Sequence, residues 1–106
     1  MITFDDFKKV EIKTARVLDA QDHPNADKLL ILKIEVGGEK KQIVAGIKGR
    51  YSREELLNKN IVIVNNLEPA VIRGEESNGM LLAAQDEGVI SLLVPERKVK
   101  SGSLVK

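Results

Sequence analysis

The stretch from Leu30 to Ala45 constrains this chain more than any other. Leu30, Leu32, Ile34 and Val36 alternate with Ile31, Lys33 and Glu35, Gly37-Gly38 follows, and Lys41 to Ala45 returns with apolar residues. A period of two fits a strand with one buried face. The paired glycines supply the positive φ values of a two-residue hairpin turn. An isolated hairpin is marginal in water, so further strands must join it to cover its apolar side.

Those strands are visible on either side. Val10 to Ala20 reads as a strand whose apolar phase changes between Ile12 and Ala15, which predicts a bulge there. Pro24-Asn25 marks the turn into the second strand. Ser52-Arg53-Glu54-Glu55 has capping-box spacing and predicts a short helix from Ser52 to about Leu57. Ile61 to Val64, Met80 to Ala84 and Val89 to Val94 are further strands, the last after an Asp86-Glu87-Gly88 turn. At the N-terminus, Thr3 and Asp6 are spaced to cap one helical turn, with Phe4 and Phe7 expected to pack beneath it. The pattern predicts an all-β fold: a five-stranded Greek-key barrel of the OB type with one short helix and a C-terminal extension. Residues 1–106 form a single domain on this reading. Residues 95–106 are expected to pack on the barrel or on a second subunit.

Little catalytic chemistry is available to such a chain. It has no cysteine and one histidine, His23, so thiol catalysis and thiolate or histidine-rich metal sites are excluded, and no metal or cofactor is expected. The adjacent pairs Asp5-Asp6, Glu54-Glu55 and Glu75-Glu76 diverge on a strand or a helix. No phosphate-binding glycine loop of the Walker kind occurs. No apolar run approaches the roughly 20 residues of a membrane-spanning helix. A start without a basic-then-apolar segment, together with the absence of cysteine, predicts a cytoplasmic location and no membrane partner.

Charge is distributed unevenly. Residues 28 to 53 carry seven basic residues against two acidic ones, a surplus of five in a chain whose net charge is +1. Such a segment predicts a polyanion-facing side. Lys33 and Lys41 flank the hairpin, Lys13 and Arg16 lie on the first strand, and Lys28 precedes the second; each is a candidate phosphate contact. Phe4, Phe7 and Tyr51 are the only aromatic residues, too few for base stacking along a strand. For a nucleic-acid partner, recognition through phosphate, sugar and overall shape is the expectation.

The run Asn66-Leu67-Glu68-Pro69-Ala70-Val71-Ile72-Arg73-Gly74-Glu75-Glu76-Ser77-Asn78-Gly79-Met80 reads as a polar, glycine-bearing loop leading into a strand. With His23-Pro24-Asn25-Ala26-Asp27-Lys28-Leu29, Gln42-Ile43-Val44-Ala45-Gly46-Ile47 and Ile2-Thr3-Phe4-Asp5-Asp6-Phe7, it resembles the tRNA-binding domain found at the C-terminus or as the β subunit of methionyl-tRNA synthetase, and as a free-standing structure-specific tRNA-binding protein. The resemblance covers nearly the whole chain. It implies an OB-fold, tRNA as partner, a homodimer, and in some members a methionyl-tRNA synthetase catalytic region alongside. It also implies that Asn66, Arg73, Ser77, Asn78 and Met80 occupy the binding loop. The HIGH and KMSKS motifs of class I synthetases are absent, so aminoacylation is not expected here. Members often carry basic residues where this chain has Glu68 and near Val71, which implies a weaker pull on phosphate. Two rival readings are a peptide-binding, chaperone-like dimer on the same fold, with Val71, Ile72 and Met80 lining an apolar groove, and a docking domain of a multi-synthetase assembly.

Overall fold

The computed structural model describes all 106 residues. Alternating strands curl into a barrel: β1 (Ile12–Asp22), β2 (Leu30–Val36), β3 (Glu39–Ala45), β4 (Asn60–Val64) and β7 (Met80–Leu81) form one sheet in the order β3-β2-β1-β4-β7. The two ends of that sheet meet. The Asn78 amide donates to the Gln42 carbonyl at 2.8 Å, and the Val44 amide donates to Ser77 Oγ at 2.9 Å. The expected all-β, OB-like barrel is therefore the observed architecture.

Alternation in β2 does what the sequence requires. Leu32 and Ile34 are fully buried and face Ile43 and Lys41 across the hairpin, while Lys33 points outward opposite Gln42. Ala15, Val17, Ile61 and Ile63 complete the same interior. Each large aliphatic side chain so enclosed contributes about 1.5–3 kcal/mol. The helix α2 (Arg53–Leu56) closes one end of the core with a single buried side chain, Leu56. Its capping box is reciprocal: Ser52 Oγ accepts from the Glu55 amide at 3.1 Å, and Glu55 accepts from the Ser52 amide at 2.8 Å.

Four expectations need correction. The register of β1 on β2 shifts between Val17 and Asp19, not between Ile12 and Ala15. Thr14 and Ala15 are both buried, because chain covers both faces of β1 there, so the apolar phase misleads. The N-terminal helix α1 (Phe4–Lys8) has the predicted Thr3–Asp6 capping box but no buried residue, and Phe4 is 73% exposed. Capping is local and needs no core beneath it. The run from Met80 to Ala84 splits at Leu82 into β7 and β8 (Ala83–Asp86), and β8 pairs with β9 (Val89–Leu92) in a separate hairpin. The loop after β4 contains a hairpin of its own, β5 (Ala70–Ile72) and β6 (Glu75–Ser77).

The C-terminal extension packs on the barrel. Thr14 Oγ1 donates to the Lys100 carbonyl at 2.8 Å and the Gly102 amide donates to the Thr14 carbonyl at 2.7 Å. The short strand β10 (Leu104–Val105) then pairs with Ile12 and Lys13. Gly102 passes so close to Gly37 that an added Cβ would lie 2.6 Å from the Gly37 Cα and N.

Candidate nucleic-acid interface

The β5–β6 hairpin turns on Arg73 and Gly74, whose φ values are 53° and 91°. Such a two-residue turn favours Asn or Gly at its first position. Arg73 sits there at a conformational cost of about 1 kcal/mol, with its side chain exposed. Ser77 anchors the other end. It is 4% exposed, and its hydroxyl accepts from the Val44 amide and donates to the Gly79 carbonyl at 3.1 Å. Gly79 follows at φ 128°, where a Cβ would stand 2.9 Å from the Val64 carbonyl oxygen, so only glycine fits.

The β1–β2 loop meets this hairpin although 49 residues separate them in sequence. His23, 3% exposed, has Nε2 at 2.9 Å from the Ile72 carbonyl and Nδ1 at 2.9 Å from the Asn25 amide. A carbonyl can only accept and an amide N–H can only donate, so the ring is neutral with its hydrogen on Nε2. Asn25 Nδ2 donates to the Arg73 carbonyl at 3.3 Å. The two resemblance motifs, His23–Leu29 and Asn66–Met80, are thus physically joined. OB folds use this arrangement, two loops beside the face of strands β2 and β3, to hold oligonucleotides.

Between the loops lies the outer face of β2 and β3. Lys33, exposed, donates to Gln42 Oε1. Gln42 in turn donates through Nε2 to the Glu76 carbonyl at 2.9 Å and accepts the Asn78 amide on its own carbonyl, so it joins the lysine to the hairpin. A shallow cleft of about 430 Å³ on this side is bordered by Leu18, Lys33, Lys40, Lys41 and Gln42, with no carboxylate among them. Lys28 is exposed at the end of the β1–β2 loop. The run from Asn66 to Met80 carries one basic residue, Arg73, and three acidic ones, Glu68, Glu75 and Glu76, so positive charge comes from β2, β3 and Lys28. Asn78 is half-buried with Nδ2 on Glu76 Oε1 at 3.0 Å, and Met80 is 48% exposed on β7.

The remaining candidates gather elsewhere. Cross-strand pairing puts Lys41 opposite Ile34 and Lys33 opposite Gln42, so the two lysines leave the hairpin on opposite faces. Lys41 Nζ donates to the Asn65 carbonyl at 3.1 Å and to Asn65 Oδ1 at 2.9 Å. Asn65 Nδ2 donates to Glu11 at 2.7 Å, and Lys13 lies 3.6 Å from the same carboxylate. The Asn65 hydrogen bond, against some desolvation and with help from Lys13, holds Glu11 below the usual carboxylate range. Asn66 accepts from the Glu11 amide at 2.8 Å and donates to the Lys9 carbonyl at 2.7 Å. Lys13, Lys41 and Asn66 therefore fasten the root of α1 to the barrel. Arg16 pairs with Glu35 at 3.6 Å. The basic middle segment is also partly neutralised by β1: Lys48 meets Asp22 at 3.4 Å and Arg53 meets Asp19 at 2.8 Å. That Arg53 hydrogen bond is the main cause holding Asp19 below its ordinary value.

Four candidates, Lys28, Lys33, Lys41 and Arg73, have no carboxylate within ion-pair distance; Lys41 is taken up by Asn65, and Lys40 joins the other three as an exposed, unpaired cation on the outer face. Sequence reasoning missed Gln42, Asn25 and the buried role of His23. The position of Gln42 opposite Lys33 follows from the two-residue turn at Gly37-Gly38, so a register count would have found it. The contact of His23 with Ile72 left no local signal.

The family model described as "Putative tRNA binding domain" matches residues 12–104. The chain is similar to a methionine-tRNA ligase of Pyrococcus furiosus, 49% identical over 105 residues that cover 99% of this chain and 14% of the ligase. Among solved structures it is similar to a MetRS related protein from Pyrococcus horikoshii (TM-score 0.92, 34% identity, 100% of this chain and 98% of that one). It is likewise similar to a CsaA chaperone protein from Picrophilus torridus (TM-score 0.93, 31% identity, all of both chains). Joined motifs, barrel and family match agree: the chain belongs to the tRNA-binding domain family.

Proposed function

We propose that this domain captures tRNA without catalysing any step, by cradling its backbone on the outer face of β2 and β3. The observation that carries the reading is the tie between the His23–Leu29 loop and the Arg73 hairpin on one side of Lys33. Lys28, Lys33, Lys40 and Arg73 meet phosphates, Asn78 and Met80 border the contact, and Ser77 shapes the loop from within. Few aromatic side chains are present to stack bases, so shape outweighs sequence in the recognition.

The chain spans 14% of the length of the ligases it matches. In a methionyl-tRNA synthetase it would act as an accessory module in the cytoplasm that raises the local tRNA concentration near the catalytic region. A homodimer is part of the same proposal. Ile2 and Phe4 on one side and Leu104 on the other are at least 60% exposed. A second copy laid over them would bury this apolar surface and present two weak faces to one RNA.

The test is a titration with labelled tRNA, duplex RNA and an unfolded peptide at several salt concentrations, with light scattering for mass. About three to six phosphate contacts predict a log–log salt slope of roughly −0.7 to −0.9 per contact. Lys33→Ala should weaken binding of different tRNAs alike and make the slope shallower by about one contact. Binding of peptide in preference to tRNA, without salt dependence, would replace this reading with the chaperone one.

A further inference from the structure

We propose that His23 is a positioning residue, a tautomer-fixed latch that makes the β1–β2 loop and the Arg73 hairpin one rigid jaw for RNA. The inference rests on the tRNA-binding reading for its purpose, though the latch itself is a property of the free protein. Four observations point to it. The imidazole is almost fully buried in a loop where polar side chains normally face water. Both ring nitrogens are used, Nδ1 within its own loop and Nε2 across to Ile72, the residue before Arg73. Asn25, whose amide the ring holds, adds the second cross-link through Nδ2 to the Arg73 carbonyl. Arg73 itself is held at positive φ, a conformation it keeps because neighbours over-determine it.

The consequence for binding follows from entropy. Lys28 and Arg73 lie on different loops, and each would lose freedom separately on meeting phosphate if the loops moved independently. Joined through His23, they present a fixed spacing before RNA arrives. The latch adds no charge and touches no RNA, so its loss should lower affinity without changing how many phosphates are contacted.

His23→Asn separates the two bonds. An Asn at this position can still accept the amide of residue 25 in an Asx-turn, but it is too short to reach the Ile72 carbonyl. In the free variant, amide exchange at Ile72 to Gly74 should accelerate while the amides of β2 and β3 stay as in the wild type. With tRNA, affinity should fall about tenfold, the worth of one or two hydrogen bonds, with an unchanged salt slope. Long-range ¹⁵N–¹H spectra of the wild-type imidazole should show the hydrogen on Nε2. Unaltered hairpin exchange in His23→Asn, or a ring hydrogen on Nδ1, overturns the latch whether or not the protein binds RNA. Faster exchange with wild-type tRNA affinity overturns its role in binding. Should His23→Asn not fold, Asn25→Ala removes the other cross-link and must show the same pair of changes; wild-type behaviour there also overturns the proposal. A wild-type protein that binds no tRNA would sink the functional reading instead, and the exchange measurement would still decide the latch.

Discussion

Arg73 places stability and binding in opposition. A glycine at its turn position would relieve the positive φ, so Arg73→Gly should stabilise the fold by about 1 kcal/mol while removing the guanidinium proposed to clamp phosphate. We expect a higher Tm in thermal melts together with a several-fold loss of tRNA affinity in anisotropy titrations; a gain in both would take Arg73 out of the interface. Acid should act through other residues. Glu11, Asp19 and Glu55 are more acidic folded than their ordinary values of 4.5, 3.8 and 4.5, chiefly through hydrogen bonds from Asn65, Arg53 and Ser52. The unfolded chain therefore binds protons first. Their stabilisation is complete above the ordinary values and disappears as pH falls through the lowered ones. Urea midpoints measured downward from pH 6 should hold steady and then drop below about pH 4.5, and Arg53→Ala should flatten part of that drop.

Elements with a period were readable, and elements fixed by distant partners were not. The β2–β3 hairpin and the Ser52 cap arise from neighbours in sequence, so alternation and spacing disclosed them with their boundaries nearly intact. The bulge in β1 was misplaced because Thr14 is buried by the C-terminal segment, a contact across 86 residues. Lys33 and Lys41 looked equivalent beside one hairpin, yet the pleat sends them to opposite faces; both border the same cleft, but Lys41 Nζ is drawn away to Asn65 while Lys33 stays on the outer face. The β5–β6 hairpin looked like plain loop because its strands are three residues each and its turn carries Arg where Asn would have signalled it. At this scale Gly102→Ala is the sharpest test of the C-terminal strap. The new Cβ would collide with Gly37 backbone at 2.6 Å and occupy φ 85°. A loss of about 2 kcal/mol or more is expected in urea unfolding, with faster amide exchange along residues 100–105.

At the level of the whole molecule, the predicted dimer has a direct check. Phe4→Asp places a charge on the exposed face of α1, where Phe4 supports nothing inside the barrel. The scattering mass should fall to that of one chain with the monomer's thermal stability little changed, and tRNA affinity should fall with the lost avidity. An unaltered mass would exclude α1 from the contact. The pairing of Ile12 with Val105 has a separate implication for how such a domain is carried. The incoming and outgoing chain share one doorway on the barrel, so a polypeptide fused at either end would hang the module from the same spot. Cargo held at the far loops would then be offered in the same orientation whichever end served as the hinge.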